Sequence, residues 1–158
     1  MPAIMKIKCN NCDYRKNKSQ SATFLICPNG QEIVLQHPAE DIQAFEYTGK
    51  HLPELIKEER INVKYGLVCT SCGECDYYLI PGKQNTFGYI FMIASRAADA
   101  DIKMISCKKC GKQTLRSVVG SQCGCLFALI KVIFGKKDFF LCPKCGKGIV
   151  TFEMTGIS

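Results

Sequence analysis

Four Cys-x-x-Cys pairs punctuate this chain: Cys9-Asn-Asn-Cys12, Cys69-Thr-Ser-Cys72, Cys107-Lys-Lys-Cys110 and Cys142-Pro-Lys-Cys145. A two-residue gap lets two sulfurs converge on one ion, whereas a disulfide framework has no need of the same short gap four times. Glycine follows three of the pairs, at Gly73, Gly111 and Gly146, where it permits a tight left-handed turn. Asp13 occupies that place after Cys12. Strand-like residues lead into every pair (MKIKC, YGLVC, KMISC and DFFLC), and CDYYLI and GIVTFE follow the second and fourth. The chain is expected to be mostly β, small and held by metal.

The pairs suggest a duplication. One unit takes Cys9/Cys12 with Cys69/Cys72, and the other takes Cys107/Cys110 with Cys142/Cys145. The expected organisation is an N-terminal unit over 1–80, a connecting segment over 81–102 and a C-terminal unit over 103–158. Cys12 to Cys69 is 57 positions and Cys110 to Cys142 is 32, so the first unit carries 25 extra residues, placed at about 37–61. Before them, FLICPNGQEIVLQ reads as a hairpin with Pro-Asn-Gly as its turn. Within them, LPELIKEERI reads as a short helix, with Pro53 and Glu54 in its first turn and Leu55, Ile56 and Ile61 on a buried stripe.

Two such pairs presented by neighbouring hairpins complete a sulfur tetrahedron, the geometry of structural zinc and of four-cysteine iron. The motifs C107-K-K-C110-G and C142-P-K-C145-G resemble the zinc-ribbon superfamily, over most of 103–154. Cys9, Cys12, Cys69 and Cys72 carry the same role in the other half, which departs from the pattern at Asp13 and in its long insertion. The resemblance implies two zinc-ribbon units, two Zn²⁺ ions and eight ligands. The same pairs are similar to rubredoxin, an iron electron carrier. The absence of Trp, the basic second half and the presence of two sites in one larger chain argue for zinc.

Four cysteines remain. Cys27 and Cys125 read as small apolar side chains; Cys75 reads equally well as packing or as a substitute ligand; Cys123 and Cys125 form a Cys-Gly-Cys whose apolar sequel does nothing to lower a thiol pKa. His37 and His51 read as surface or turn residues.

Filled tetra-cysteine sites leave no vacancy for water, and no Ser/His/Asp set, phosphate-cradling Gly loop or zinc-deaminase pattern accompanies them, so no enzyme is expected. The net charge is +7, and residues 80–158 hold 12 Lys/Arg against 4 Asp/Glu. Two tetra-cysteine zinc sites at −2 each would lower the total to about +3. Residues 103–147 still set ten cations against Asp138 alone, and Lys108, Lys109, Lys112, Arg116, Lys136, Lys137, Lys144 and Lys147 are candidate nucleic-acid contacts. Phe127, Phe134, Phe139 and Phe140 are candidates for stacking on bases. The competing reading is that these lysines compensate the negative sites. A second class, protein interaction or self-association, rests on the apolar stretches FGYIFMI and LFALIKVIF. The first residues lack a signal peptide's apolar stretch, and the longest apolar run, Cys123 to Phe134, is too short to span a bilayer. A reducing, cytoplasmic setting is the expectation.

Overall fold

The strand β1 (Ala3–Cys9) shows how the first knuckle is built. Met5, Ile7 and Cys9 alternate with Lys6 and Lys8, so one face is buried and carries its last residue, a sulfur, into the interior. Burying side chains the size of Met5 and Ile7 stabilises by about 1.5–3 kcal/mol each. The computed structural model describes residues 3–36, 38–80, 102–118 and 140–157. His37, Cys123, Cys125, Lys131, Lys136, Lys137, Phe127, Phe134, Phe139, FGYIFMI and LFALIKVIF lie outside the described residues.

Two antiparallel sheets follow. The first has the order β2-β1-β9-β8, where β2 is Arg15–Ser19, β8 Phe140–Leu141 and β9 Ile149–Ile157. The strand nearest the start of the chain thus lies against the strand nearest its end, with Ile7 opposite Phe152 and Cys9 opposite Val150. The second sheet runs β4-β3-β5-β6, from β3 (Ser21–Ile26), β4 (Glu32–Leu35), β5 (Ile61–Cys69) and β6 (Cys75–Tyr78). A short β7 (Leu115–Ser117) also pairs with β5.

β5 is the hub. Its early residues pair with β3, its last three with β7, and Gly66 stands at the handover. The Gly66 N–H donates to the Gln20 carbonyl at 2.9 Å, and its carbonyl accepts from the Val118 N–H at 3.2 Å. A Cβ on Gly66 would lie 2.2 Å from the Ser19 carbonyl oxygen, so the close passage of the chain from the first sheet to the second requires glycine there.

The expected strand before Cys107 is not formed. Residues 102–103 are helical, 104 is a turn and 105–107 are irregular. The edge of β5 near Cys69 is taken instead by β7, which follows the Cys107/Cys110 knuckle, while Ile102 is buried beside Tyr78 and Ile80. The hairpin around Pro28-Asn29-Gly30 does form, with Gly30 at φ 80° and β3 paired to β4.

The helical insertion holds two helices. α2 (Leu52–Lys57) is the expected one, and Leu55 and Ile61 are fully buried, with Ile56 packed against them. α1 (Glu40–Thr48) precedes it. Asp41 joins the two: one carboxylate oxygen accepts the Leu52 N–H at 2.8 Å and the other contacts His51 Nδ1 at 2.9 Å. Sequence reading misses α1 because its apolar residues do not form an inward stripe. Ala44 is its one buried residue, and Ile42, Phe45 and Tyr47 point outward.

Three buried clusters result. One joins the sheets, bringing Met5, Ile7, Tyr14, Phe140 and Val150 against Val68 and Val118. The second surrounds Cys69 and Cys107, and the third lies under the helices.

Candidate metal centres

All eight sulfurs of the four pairs meet in two groups of four, each within 4.8 Å of one another. The grouping corrects the expected one. Cys9 and Cys12 meet Cys142 and Cys145, while Cys69 and Cys72 meet Cys107 and Cys110. The first and last knuckles form an outer centre, and the two middle knuckles form an inner one. The duplication reading pairs each knuckle with the next in the chain; the β1–β9 ladder overrides this by carrying Cys9 alongside Val150, on the far side of the Cys145 turn.

The spacing suits one ion per centre. Cys9 Sγ lies 3.8 Å from Cys145 Sγ and Cys12 Sγ lies 3.7 Å from Cys142 Sγ. In the inner centre, Cys69–Cys110 and Cys72–Cys107 are each 3.6 Å apart. A regular tetrahedron with metal–sulfur bonds near 2.3 Å has edges of about 3.8 Å, whereas a disulfide bond is about 2.05 Å long. All eight are free thiols. Each centre therefore has the donor set and size of a tetra-cysteine metal site.

Three knuckles share one turn. The N–H of Gly73, Gly111 and Gly146 donates to the carbonyl of the first cysteine of its pair, each at 2.8 Å, with φ of 75°, 71° and 66°. At Cys9–Cys12, where Asp13 replaces glycine, no left-handed residue occurs. This knuckle is anchored on β9 instead: the Asn10 N–H donates to the Ile149 carbonyl at 3.1 Å, and the Ile149 N–H donates to Asn10 Oδ1 at 2.8 Å. A Cβ at Gly148 would lie 2.3 Å from Cys9 Sγ, so the residue leading into β9 must lack a side chain.

Local dipoles sort the thiols. Burial opposes ionisation of Cys69, but the Thr114 hydroxyl, 3.3 Å from its sulfur, and nearby backbone N–H groups bring it down from 9.0 to about 6. The N–H groups of Lys147 and Gly148 bring Cys145 to about 6 as well. Burial also opposes ionisation of Cys107, and the N–H groups of Cys110 and Lys109 still lower it. Cys72 is pushed up to about 12 by burial and by its sulfur neighbours. The Tyr14 backbone N–H favours the Cys12 thiolate, yet burial and the sulfurs of Cys142, Cys9 and Cys145 hold it at about 12. Without a metal, thiolates and thiols share each cluster; a cation would displace the remaining protons.

The cations predicted for nucleic acid fall partly into these centres. Lys144 Nζ lies 2.7 Å from Asp13 and Lys109 Nζ 3.0 Å from Glu74, each bridging the two knuckles of its centre. Lys108 bonds Asp76 and the Tyr77 carbonyl, both at 2.7 Å. Lys112, Arg116 and Lys147 are exposed, and Phe140 is buried in the core. Cys75 lies outside both clusters; it packs beside Tyr14, and burial raises it to about 11. Cys27 is partly buried at the hairpin turn, and His51 caps α2.

Among the described residues, no helix is long and apolar enough to cross a membrane. The chain matches no family model, no curated protein and no solved structure. What the fold and the sites define is a mostly-β protein with two tetra-cysteine clusters that could bind metal ions.

Proposed function

We propose that this is a non-enzymatic zinc protein of the zinc-ribbon kind, in which two closed tetra-cysteine centres hold the fold and the surfaces do the work as a nucleic-acid-associated accessory factor. The carrying observation is the all-sulfur donor set at tetrahedral spacing, with no His or carboxylate in either cluster. Such sets suit structural zinc and leave no position open for a reacting water. Iron remains the competitor, since all-sulfur tetrahedral sites take either ion. Each ion would stand in for core that a sheet of this size does not supply.

Lys108, Lys109 and Lys144 are engaged by carboxylates, which favours the outer face of the first sheet over the C-terminal knuckles as the nucleic-acid surface. On the β1–β2 ladder, Lys8 stands directly opposite Arg15 and Lys6 opposite Asn17, with Glu153 paired to Lys8. Glu153 offsets Lys8 as the other carboxylates offset theirs, so Lys6 and Arg15 are the cations of this face left for a phosphate. The test is metal analysis of purified protein with salt-titrated binding of labelled single-stranded RNA and duplex DNA. Two zinc ions per chain, and binding that falls steeply with salt and is lost in Lys6→Glu/Arg15→Glu, support the reading. No binding at low salt removes the nucleic-acid part.

A second reading, protein assembly, is favoured by α1. Ile42 is 64%, Phe45 48% and Tyr47 59% exposed on one nine-residue helix. A strictly monomeric protein without hydrophobic-dye binding would remove it.

A further inference from the structure

Gly73 follows the second cysteine of an inner knuckle, yet what crowds it belongs to the outer centre. The Tyr14 hydroxyl donates to the Gly73 carbonyl at 2.6 Å. A Cβ on Gly73 would lie 2.8 Å from Tyr14 Cε2 and 2.9 Å from Pro143 Cγ. Tyr14 stands two residues beyond Cys12, and Pro143 directly follows Cys142. Both knuckles of the outer centre therefore seat a side chain on the same inner glycine.

We infer that the inner centre is the platform on which the outer centre assembles, with Tyr14 as the positioning residue that couples them; this rests on the metal reading above. Coupling of this kind is reciprocal in free energy, so the order of filling comes from local bracing and chain closure. The inner centre is braced from within: Thr114 Oγ1 reaches Cys69 Sγ at 3.3 Å, the Thr70 N–H donates to the Thr114 carbonyl at 2.9 Å, and the Lys108 N–H donates to Tyr78 Oη at 3.3 Å. The outer centre has its own Asn10–Ile149 bonds and leans on the inner as well. Tyr14 is buried, and its acceptor is placed by the left-handed turn at Gly73, φ 75°, which exists once the Cys69–Cys72 knuckle is formed. An unfolded inner knuckle would take away the Gly73 carbonyl and leave that buried hydroxyl with the weaker Cys75 sulfur as its partner.

Chain closure points the same way. The inner centre joins sulfurs 35 positions apart in sequence, and the outer joins sulfurs 130 apart. Closing the longer loop first is disfavoured about sevenfold by the three-halves power law, and prior closure of the inner loop shortens it. Metal uptake is ordered, inner before outer, and release is the reverse. Loss of the outer ion frees the β1–β9 pairing and leaves the second sheet intact.

The test measures zinc affinity at each centre of the reduced full chain by competition with a chromogenic chelator. Cys12→Ser/Cys145→Ser should keep one zinc with inner affinity within about twofold of wild type. Cys69→Ser/Cys110→Ser should weaken the outer centre by about tenfold or more. Tyr14→Phe, which keeps all eight sulfurs and the ring, should still bind two zinc ions, with the first step (inner centre, outer still empty) unchanged and the second step (outer centre) weakened roughly three- to tenfold; it decides the matter if the double serine variants do not fold. An outer centre of wild-type affinity in the inner-ligand variant overturns the coupling, as does a Tyr14→Phe that weakens both centres or neither. Two tightly bound but independent ions would sink the coupling alone; a wild-type chain that takes up no metal would sink the metal reading with it.

Discussion

The Tyr14 hydroxyl donates to the carbonyl of Gly73, 59 positions away, at 2.6 Å, and so ties a residue beside one sulfur cluster to a residue beside the other. Burial holds the phenol well above its ordinary range, which favours the protonated, donating form. Removing only the hydroxyl, in Tyr14→Phe, strands a buried carbonyl and should cost about 1–3 kcal/mol. Urea denaturation of the metal-loaded protein reads this directly as a lower midpoint at unchanged slope.

Gly148→Ala places a methyl where Cys9 Sγ now sits, 2.3 Å from the built Cβ. The sulfur has to move off its tetrahedral corner. The expected outcome is a fall from two metal ions per chain to one, measured by elemental analysis, with the inner centre retained.

Gly66→Ala tests the joint between the sheets. Its Cβ would meet a backbone oxygen at 2.2 Å, which cannot swing aside as a side chain can. Overpacking of this kind costs about 1–3 kcal/mol, and a thermal midpoint indistinguishable from wild type would show that the passage between Ser19 and β5 has room to spare.

Glu59→Gly should stabilise. Glu59 has φ 56°, the one left-handed non-glycine among the described residues, and it ends α2 with its N–H on the Ile56 carbonyl and the Arg60 N–H on the Leu55 carbonyl. Glycine at such a helix end relieves about 0.5–1 kcal/mol of strain. The reading is a higher denaturation midpoint with metal content unchanged.

The metal-free protein should have a stability maximum near pH 9. Cys69 and Cys145 lie at about 6 in the fold against an ordinary 9.0, so between pH 6 and 9 the unfolded chain binds more protons and stability rises with pH. Cys12 and Cys72, held at about 12, act oppositely, and stability falls from pH 9 towards 12. Thermal melts under reductant and chelator check this. A profile that rises monotonically through that upper window would contradict the assignment.

How far the sequence could be read is clearest at the knuckles. Two-residue gaps and following glycines identify Cys69, Cys107 and Cys142 as turn residues because that chemistry is local. Which knuckle meets which is not local: it depends on β1 choosing β9, a pairing that brings together sulfurs 136 positions apart and that spacing cannot encode. The lysines show the same divide. Lys109 and Lys144 look like free charge in the chain, and only the fold brings Glu74 and Asp13 to them. α1 escaped for the reverse reason, since its apolar residues face outward and leave no inward stripe to detect.

The nested order of the centres has a consequence during synthesis. A ribosome delivers Cys69 through Cys110 while Cys9 and Cys12 have already emerged and their partners do not yet exist. Until Cys145 leaves the exit tunnel, the opening strand waits without its β9 neighbour, and the Cys9 and Cys12 thiols stand open to oxidation or to the wrong ion.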